Sequence, residues 1–226
     1  MNIHLLEMLT NAEFYMATKE NLNEPLDSTY TISLENYLNI YHEKYPSLKD
    51  DKESIERSTR VFNWWMEDGK NDWINNIDEL HSKLRVCCFT EEANHPLMWS
   101  HYAFNHTGVC LTFEPSKDSV LEKSLYPVTY TDELLEAKSI SDLRKCLLSK
   151  LNAWKIEKEW RIISENDKFR FKQEALVEIV FGLKVSDSTM GWFKYFREGV
   201  YYMDTPIYKL KLKGNRLVKI DEYGEE

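Results

Sequence analysis

Leu84-Arg85-Val86-Cys87-Cys88-Phe89 is where the hydrophobic period of this chain changes. A near-continuous apolar run of this length suits a strand covered on both faces, and predicts a central strand over 84–89. Upstream, apolar residues recur at helical spacing instead. Ser33 can cap a helix with Leu34, Tyr37, Leu38, Tyr41 and Tyr45 on one face, stopped by Pro46. Asp50 or Asp51 opens a second helix with Ile55, Phe62, Trp65 and Met66 on its stripe, ended by Gly69. Trp73, Ile74, Ile77 and Leu80 mark a third. Ahead of this block, residues 2–10 read as a helix, 14–18 as a strand and 19–27 as a loop of turn formers.

Beyond residue 90, strands are predicted at 108–113, 126–130, 160–163 and 176–181. Pro96 opens a short helix. Asp132 starts a long one with Ile140, Leu143, Leu147, Leu151 and Trp154 on its stripe. Ser186 and Asp187 cap another, and 207–212 with 217–220 make a hairpin around Gly214-Asn215. The sum is one α+β domain over 1–226, a mixed, mostly antiparallel sheet with a helical insertion near residues 33–82.

Composition narrows the function classes. Of 226 residues 42% are apolar and only 7 are Gly and 6 Pro, which excludes collagen-like and disordered classes. The formal charge is −9, and it is uneven: residues 1–80 hold 7 basic and 16 acidic side chains, the rest 22 of each. Without a Lys and Arg surplus, extended nucleic-acid binding is not expected. The acidic helical block at 33–80 is either a solvated face or a docking face for a basic protein partner. No run approaches the roughly 18 apolar residues of a membrane span, and no basic leader opens the chain. Cys87, Cys88, Cys110 and Cys146 form no CxxC pair, so no metal is expected. Reduced, mostly buried thiols in a cytoplasmic protein is the expectation.

Three segments carry chemistry. The densest places His95, His101 and His106 within twelve residues, beside Trp99, Tyr102 and Gly108. His101 can shuttle a proton near neutral pH. Trp99, Tyr102 and His106 can hold a base or ring, or can simply pack as core. In the second segment, Glu157, Glu159 and Arg161 alternate at a strand start and share a face. Paired carboxylates can raise one another's pKa or grip a ribose diol; an Arg161–Glu159 ion pair is the plainer reading. The third is the loop Asn21-Leu22-Asn23-Glu24-Pro25-Leu26-Asp27, where Asn23 and Asp27 either face a ligand or only fix turns. P-loop, Rossmann and hydrolase-elbow motifs are missing from the sequence.

Together these segments resemble the bacterial domain-of-unknown-function family numbered 2971. The resemblance rests on Asn23-Glu24-Pro25-Leu26-Asp27, Cys88-Phe89-Thr90, Leu97-Met98-Trp99-Ser100-His101-Tyr102-Ala103, His106-Thr107-Gly108-Val109-Cys110 and Glu157-Lys158-Glu159-Trp160-Arg161-Ile162. It spans roughly 11–185. It implies a setting among bacterial or phage-defence and toxin–antitoxin genes. Through a further likeness to the ADP-ribosyltransferase fold, it implies a nucleotide ligand, NAD as cofactor, and ADP-ribosyl transfer or NAD cleavage. Glu159 would then steady charge at the ribose C1′ and Glu157 would be its partner. The first strand usual in the family is missing here, with Ile3-His4-Leu5-Leu6 in its place. That departure implies a non-catalytic sensor or neutralising partner as the alternative.

Overall fold

The computed structural model describes residues 3–24, 26–68, 83–198 and 204–221. The helix expected at 73–80 and the position of Pro25 lie outside them. The chain forms two compact units, each assembled from separated segments. Unit 1 takes 1–15, 90–125 and 168–226; unit 2 takes 16–89 and 126–167.

Unit 1 is built on a four-stranded sheet. Its strands are β4 (Val109–Phe113), β11 (Leu176–Phe181), β12 (Ile207–Lys213) and β13 (Arg216–Ile220). They lie in the order β13-β12-β11-β4. The β11–β4 and β12–β13 pairs are antiparallel, and β11–β12 is parallel. Alternation along β11 sends Ile179 and Phe181 to one face and Val180 to the other. Leu5, Met8 and Leu9 of helix α1 (Ile3–Asn11) pack on the first face, with Met190 and Phe193 of α7 (Asp187–Glu198). Trp99 and Ala103, in and just after α4 (Pro96–Tyr102), pack on the second with Val180 and Leu210. The predicted hairpin forms, with Gly214 in the left-handed region at φ 62°.

The antiparallel pair β1 (Glu13–Tyr15) and β10 (Lys168–Arg170) completes the unit around Phe14, Phe113 and Phe171. Asp118 is buried in this unit. Its Oδ1 caps α5 (Ser119–Ser124), and its Oδ2 accepts the Lys172 N–H at 2.8 Å. Burial acts to raise its pKa, but those backbone donors outweigh it and hold the carboxyl below its usual value.

Unit 2 joins helices to short strands. Ser33 caps α2 (Leu34–Lys44), its Oγ accepting the Asn36 N–H as the sequence suggests. Helix α3 (Lys52–Asp68) follows, with Asp51 accepting the Glu53 N–H. Tyr37, Ile40 and Phe62 bury themselves against Leu143 and Cys146 of α6 (Ile140–Cys146). They also meet the core of the parallel pair β2 (Tyr30–Thr31) and β7 (Leu135–Glu136). The α3 stripe runs through Ser58 and Phe62, while Met66 is exposed. At 3.6 residues per turn Met66 shares the face of Phe62, so among the described residues the expected stripe is buried along only part of its length.

Three readings change here. The strand at 84–89 exists as β3 (Arg85–Thr90), but it is not central: the order is β3-β9-β5, with β9 (Glu159–Ser164) in the middle. An antiparallel bridge from Ala17 to Val86 covers part of its other edge. The strand at 126–130 is two pieces, β5 (Tyr126–Pro127) and β6 (Thr129–Thr131), in different sheets. Pro127 lacks the N–H a continuous ladder needs. The long helix from Asp132 is replaced by β7, the short α6, β8 (Ser149–Leu151) and a 3-10 stretch at Asn152–Glu157. The mixed, mostly antiparallel α+β class holds. Antiparallel pairs join β1–β10, β4–β11, β12–β13 and β5–β9, and parallel pairs join β11–β12, β2–β7 and β6–β8. No helix among the described residues is long and apolar enough to cross a membrane.

One close approach is testable. A Cβ placed on Gly182 would lie 2.3 Å from the His106 carbonyl oxygen. Gly182→Ala must therefore push backbone against backbone. It is expected to destabilise the protein by about 1–3 kcal/mol, read as a lowered midpoint in urea.

Candidate functional site

Unit 2 withdraws five charged side chains from water and pairs them with one another. Arg161 on β9 is fully buried, at 0% exposure. Its Nε donates to Glu159 Oε1 at 2.7 Å, and one terminal nitrogen donates to Asp27 Oδ2 at 2.7 Å. The other terminal nitrogen donates to Ser28 Oγ and to the Leu147 carbonyl, both at 2.8 Å. Ser28 Oγ in turn donates to Asp27 Oδ1 at 2.8 Å. Lys150 on β8 places Nζ 2.6 Å from Glu157 Oε2, 3.0 Å from Glu159 Oε2 and 3.3 Å from Asp27 Oδ2. The same ammonium lies 5.1 Å from the centre of the Trp154 ring. Three carboxylates thus meet two cations.

Local backbone makes the convergence possible. Glu157 ends the 3-10 stretch and Glu159 begins β9, so they are not neighbours along one strand. Lys158 between them takes a left-handed conformation, φ 44°, with the two carboxylates meeting on Lys150. Ser28 is also left-handed, at φ 58°. Such conformations in non-glycine residues cost about 1–3 kcal/mol each and persist where surrounding contacts over-determine them. The Glu159 N–H is satisfied by Tyr130 Oη at 2.8 Å.

The electrostatics follow from this pairing. Burial acts to raise the Glu159 pKa, but the hydrogen bond and charge of Arg161, and then Lys150, outweigh it and hold the carboxyl below its ordinary 4.5. The expectation that one of the paired carboxylates titrates high thus fails for Glu159, because two cations stand against it. Cys88 reaches solvent as a residue, yet its thiol is crowded by protein and beside Glu159. Desolvation first, and the Glu159 charge second, push it well above the ordinary thiol range, which disfavours the thiolate at neutral pH. All four cysteines are free. As residues, Cys146 is buried, Cys87 and Cys110 are half-buried and Cys88 is exposed.

The segment around Trp99, His101 and His106 belongs to unit 1. Trp99 is 2% exposed, donates through Nε1 to the Ala93 carbonyl at 2.7 Å and packs as core. The His106 ring lies nearly parallel to it, 14° apart, with Nε2 3.3 Å from Ser100 Oγ. His106 Nδ1 is buried without a hydrogen-bond partner. His101 and Tyr102 sit on the exposed face of α4, and Asn23 is exposed in its loop in unit 2. Asp27, Glu157, Glu159 and Arg161 are therefore brought together. Trp99 and His106 make a second, separate contact. No group of three or more His, Cys, Asp or Glu among the described residues is placed to hold a metal. Sequence reasoning missed Lys150, Ser28 and Tyr130. The one signal for Lys150 was a lone cation in the run Leu147-Leu148-Ser149-Lys150-Leu151.

The α+β fold and its buried charge cluster set the class, and comparison with known proteins adds one finding. A family model described as Protein of unknown function (DUF2971) matches residues 98–162. The matched segment supports the resemblance over the Trp99–His106 stretch and over Lys150, Glu157, Glu159 and Arg161. Asp27 lies outside it. No curated protein and no solved structure gives a significant match.

Lys150→Met would leave three carboxylates around Arg161 alone. It is expected to cost about 3–5 kcal/mol, measured by urea denaturation. The acid limb has a definite sign. Glu159 binds its proton less readily folded than unfolded, so its contribution is complete above the ordinary pKa of 4.5 and is lost as pH falls through the lower folded value. The decline of stability below that pH should be shallower in Glu159→Gln.

Proposed function

We propose that this protein is a non-catalytic binding module, a sensor or neutralising partner in a bacterial defence or toxin system, and that it does not turn over NAD. The observation that carries this reading is the state of Glu159. It is 5% exposed, with Oε1 taken by Arg161 and Oε2 by Lys150. A carboxylate that steadies charge at a ribose C1′ must come within hydrogen-bond reach of the sugar. Glu157, its companion in that chemistry, is 3% exposed and held by Lys150 at 2.6 Å. The residues present therefore do not fit a nicotinamide ribose, and no transfer step is drawn through them.

The helical block offers the surface that a binding module needs. Glu35 and Glu43 on α2 and Glu53, Glu56 and Glu67 on α3 are exposed, as are Trp64 and Met66 of α3 at 60% and 59%. Exposed acidic side chains and two large exposed apolar ones in this block support a basic protein partner.

Two measurements test the reading. Labelled NAD with the protein and cell extract should release no nicotinamide and label nothing, and calorimetry should detect no NAD binding. Nicotinamide release that disappears in Glu159→Gln overturns it. Purification from the native host should retain a stoichiometric basic partner, lost on Glu53→Lys with Glu56→Lys.

A further inference from the structure

Unit 1 contains a cavity of about 460 Å³, within the roughly 300–1,000 Å³ range of small-molecule sites. Its inner wall is apolar: Val109 and Phe181 from the sheet, Phe193 from α7 and Leu5 from α1. Among the described residues that line it, Lys184 is the one charged side chain, with the Ser186 and Thr189 hydroxyls also in the lining. No described lining residue carries a carboxylate, in a chain whose formal charge is −9. A lone cation at the edge of an apolar chamber selects a ligand with one negative group and an apolar body.

The turn that carries Phe104 into the cavity lining is built at a conformational cost. Phe104, Asn105 and His106 are consecutive non-glycine residues with φ of 47°, 54° and 70°. The His106 N–H donates to the Trp99 carbonyl at 3.1 Å, and its own carbonyl accepts the Lys184 N–H at 2.9 Å. These bonds lock the left-handed turn and tie it to the backbone of Lys184. The turn carries Phe104, 74% exposed, on the cavity wall beside Tyr102, 44% exposed. Large aromatic side chains left in water at a cavity edge gain burial only when something enters.

We propose that this cavity binds a small carboxylate with an aromatic or aliphatic body, the body against Leu5, Val109 and Phe104 and the carboxylate at Lys184. The proposal deepens the binding-module reading and rests on it for its biological sense.

The probes are 4-phenylbutyrate and its neutral amide, 4-phenylbutanamide, with anilinonaphthalene sulfonate as the fluorescent reporter. The reporter should bind saturably and be displaced by 4-phenylbutyrate. Lys184→Gln, at an exposed position, should weaken 4-phenylbutyrate by about tenfold and leave the amide unchanged. Leu5→Trp, which fills the chamber from α1, should abolish binding of both; Thr189→Trp does the same from α7 if Leu5→Trp fails to fold. Saturable binding that survives a folded chamber-filling variant overturns the proposal. So does equal binding of acid and amide by wild type and Lys184→Gln, or no binding at all. Turnover of NAD would overturn the functional reading above and leave these outcomes untouched.

Discussion

A guanidinium and an ammonium cannot be taken out of water unless every charge around them is answered. Desolvating an ion costs several kcal/mol, and that cost is offset only by close, multiple and well-oriented contacts. Arg161 meets the condition with four acceptors drawn from three places in the sequence: Asp27 and Ser28, Leu147, and Glu159. Lys150 meets it with three carboxylates. The loop before β2, the chain after α6, strand β8 and the start of β9 are fixed together by this requirement. A lysine in place of Arg161 would lack the fork that reaches separate acceptors at once.

The same requirement explains the strained backbone around the cluster. Left-handed Ser28 and Lys158 would be poor choices in an ordinary loop. Here each brings a side chain, its own or its neighbours', into contact with the buried charges, and the gain from completing those contacts exceeds the local cost. A cluster so fully satisfied holds its carboxylates still. That property suits a structural latch better than a group that must exchange partners during a reaction.

Much of this was legible in the residues. The Ser33 and Asp51 caps, the strands at β4, β9 and β11 and the terminal hairpin follow from local chemistry that tertiary packing does not contest. Asp27, Glu157, Glu159 and Arg161 were visible because charge in a strand start or a turn-rich loop stands out. Lys150 was not, because Ile140, Leu143 and Leu147 keep helical spacing and invite the helix to run on through Leu151. What stops it is a long-range demand: Lys150 must extend to meet Glu157 and Glu159, and no local propensity records that. The edge position of β3 was hidden for a similar reason. An apolar run does not say which strand lies alongside, and here it overstated burial: Val86 is the one buried residue of β3 and Cys88 is exposed. The cavity of unit 1 combines residues from α1, β4, β11 and α7, and no motif spans such distances.

The way the chain is divided between the two units has a consequence for its synthesis. Unit 2 has all of its residues once Asp167 has left the ribosome, whereas unit 1 lacks β10, β11, β12 and β13 at that moment. Strand β1 pairs with β10 across more than 150 residues, so its ladder cannot close until β10 has been made. Contacts of such long sequence separation form late, because loop closure must be met before they contribute. The α1–β1 segment therefore precedes its partners in the chain by most of unit 2, and the residues of the buried charge cluster are all made before β10 to β13.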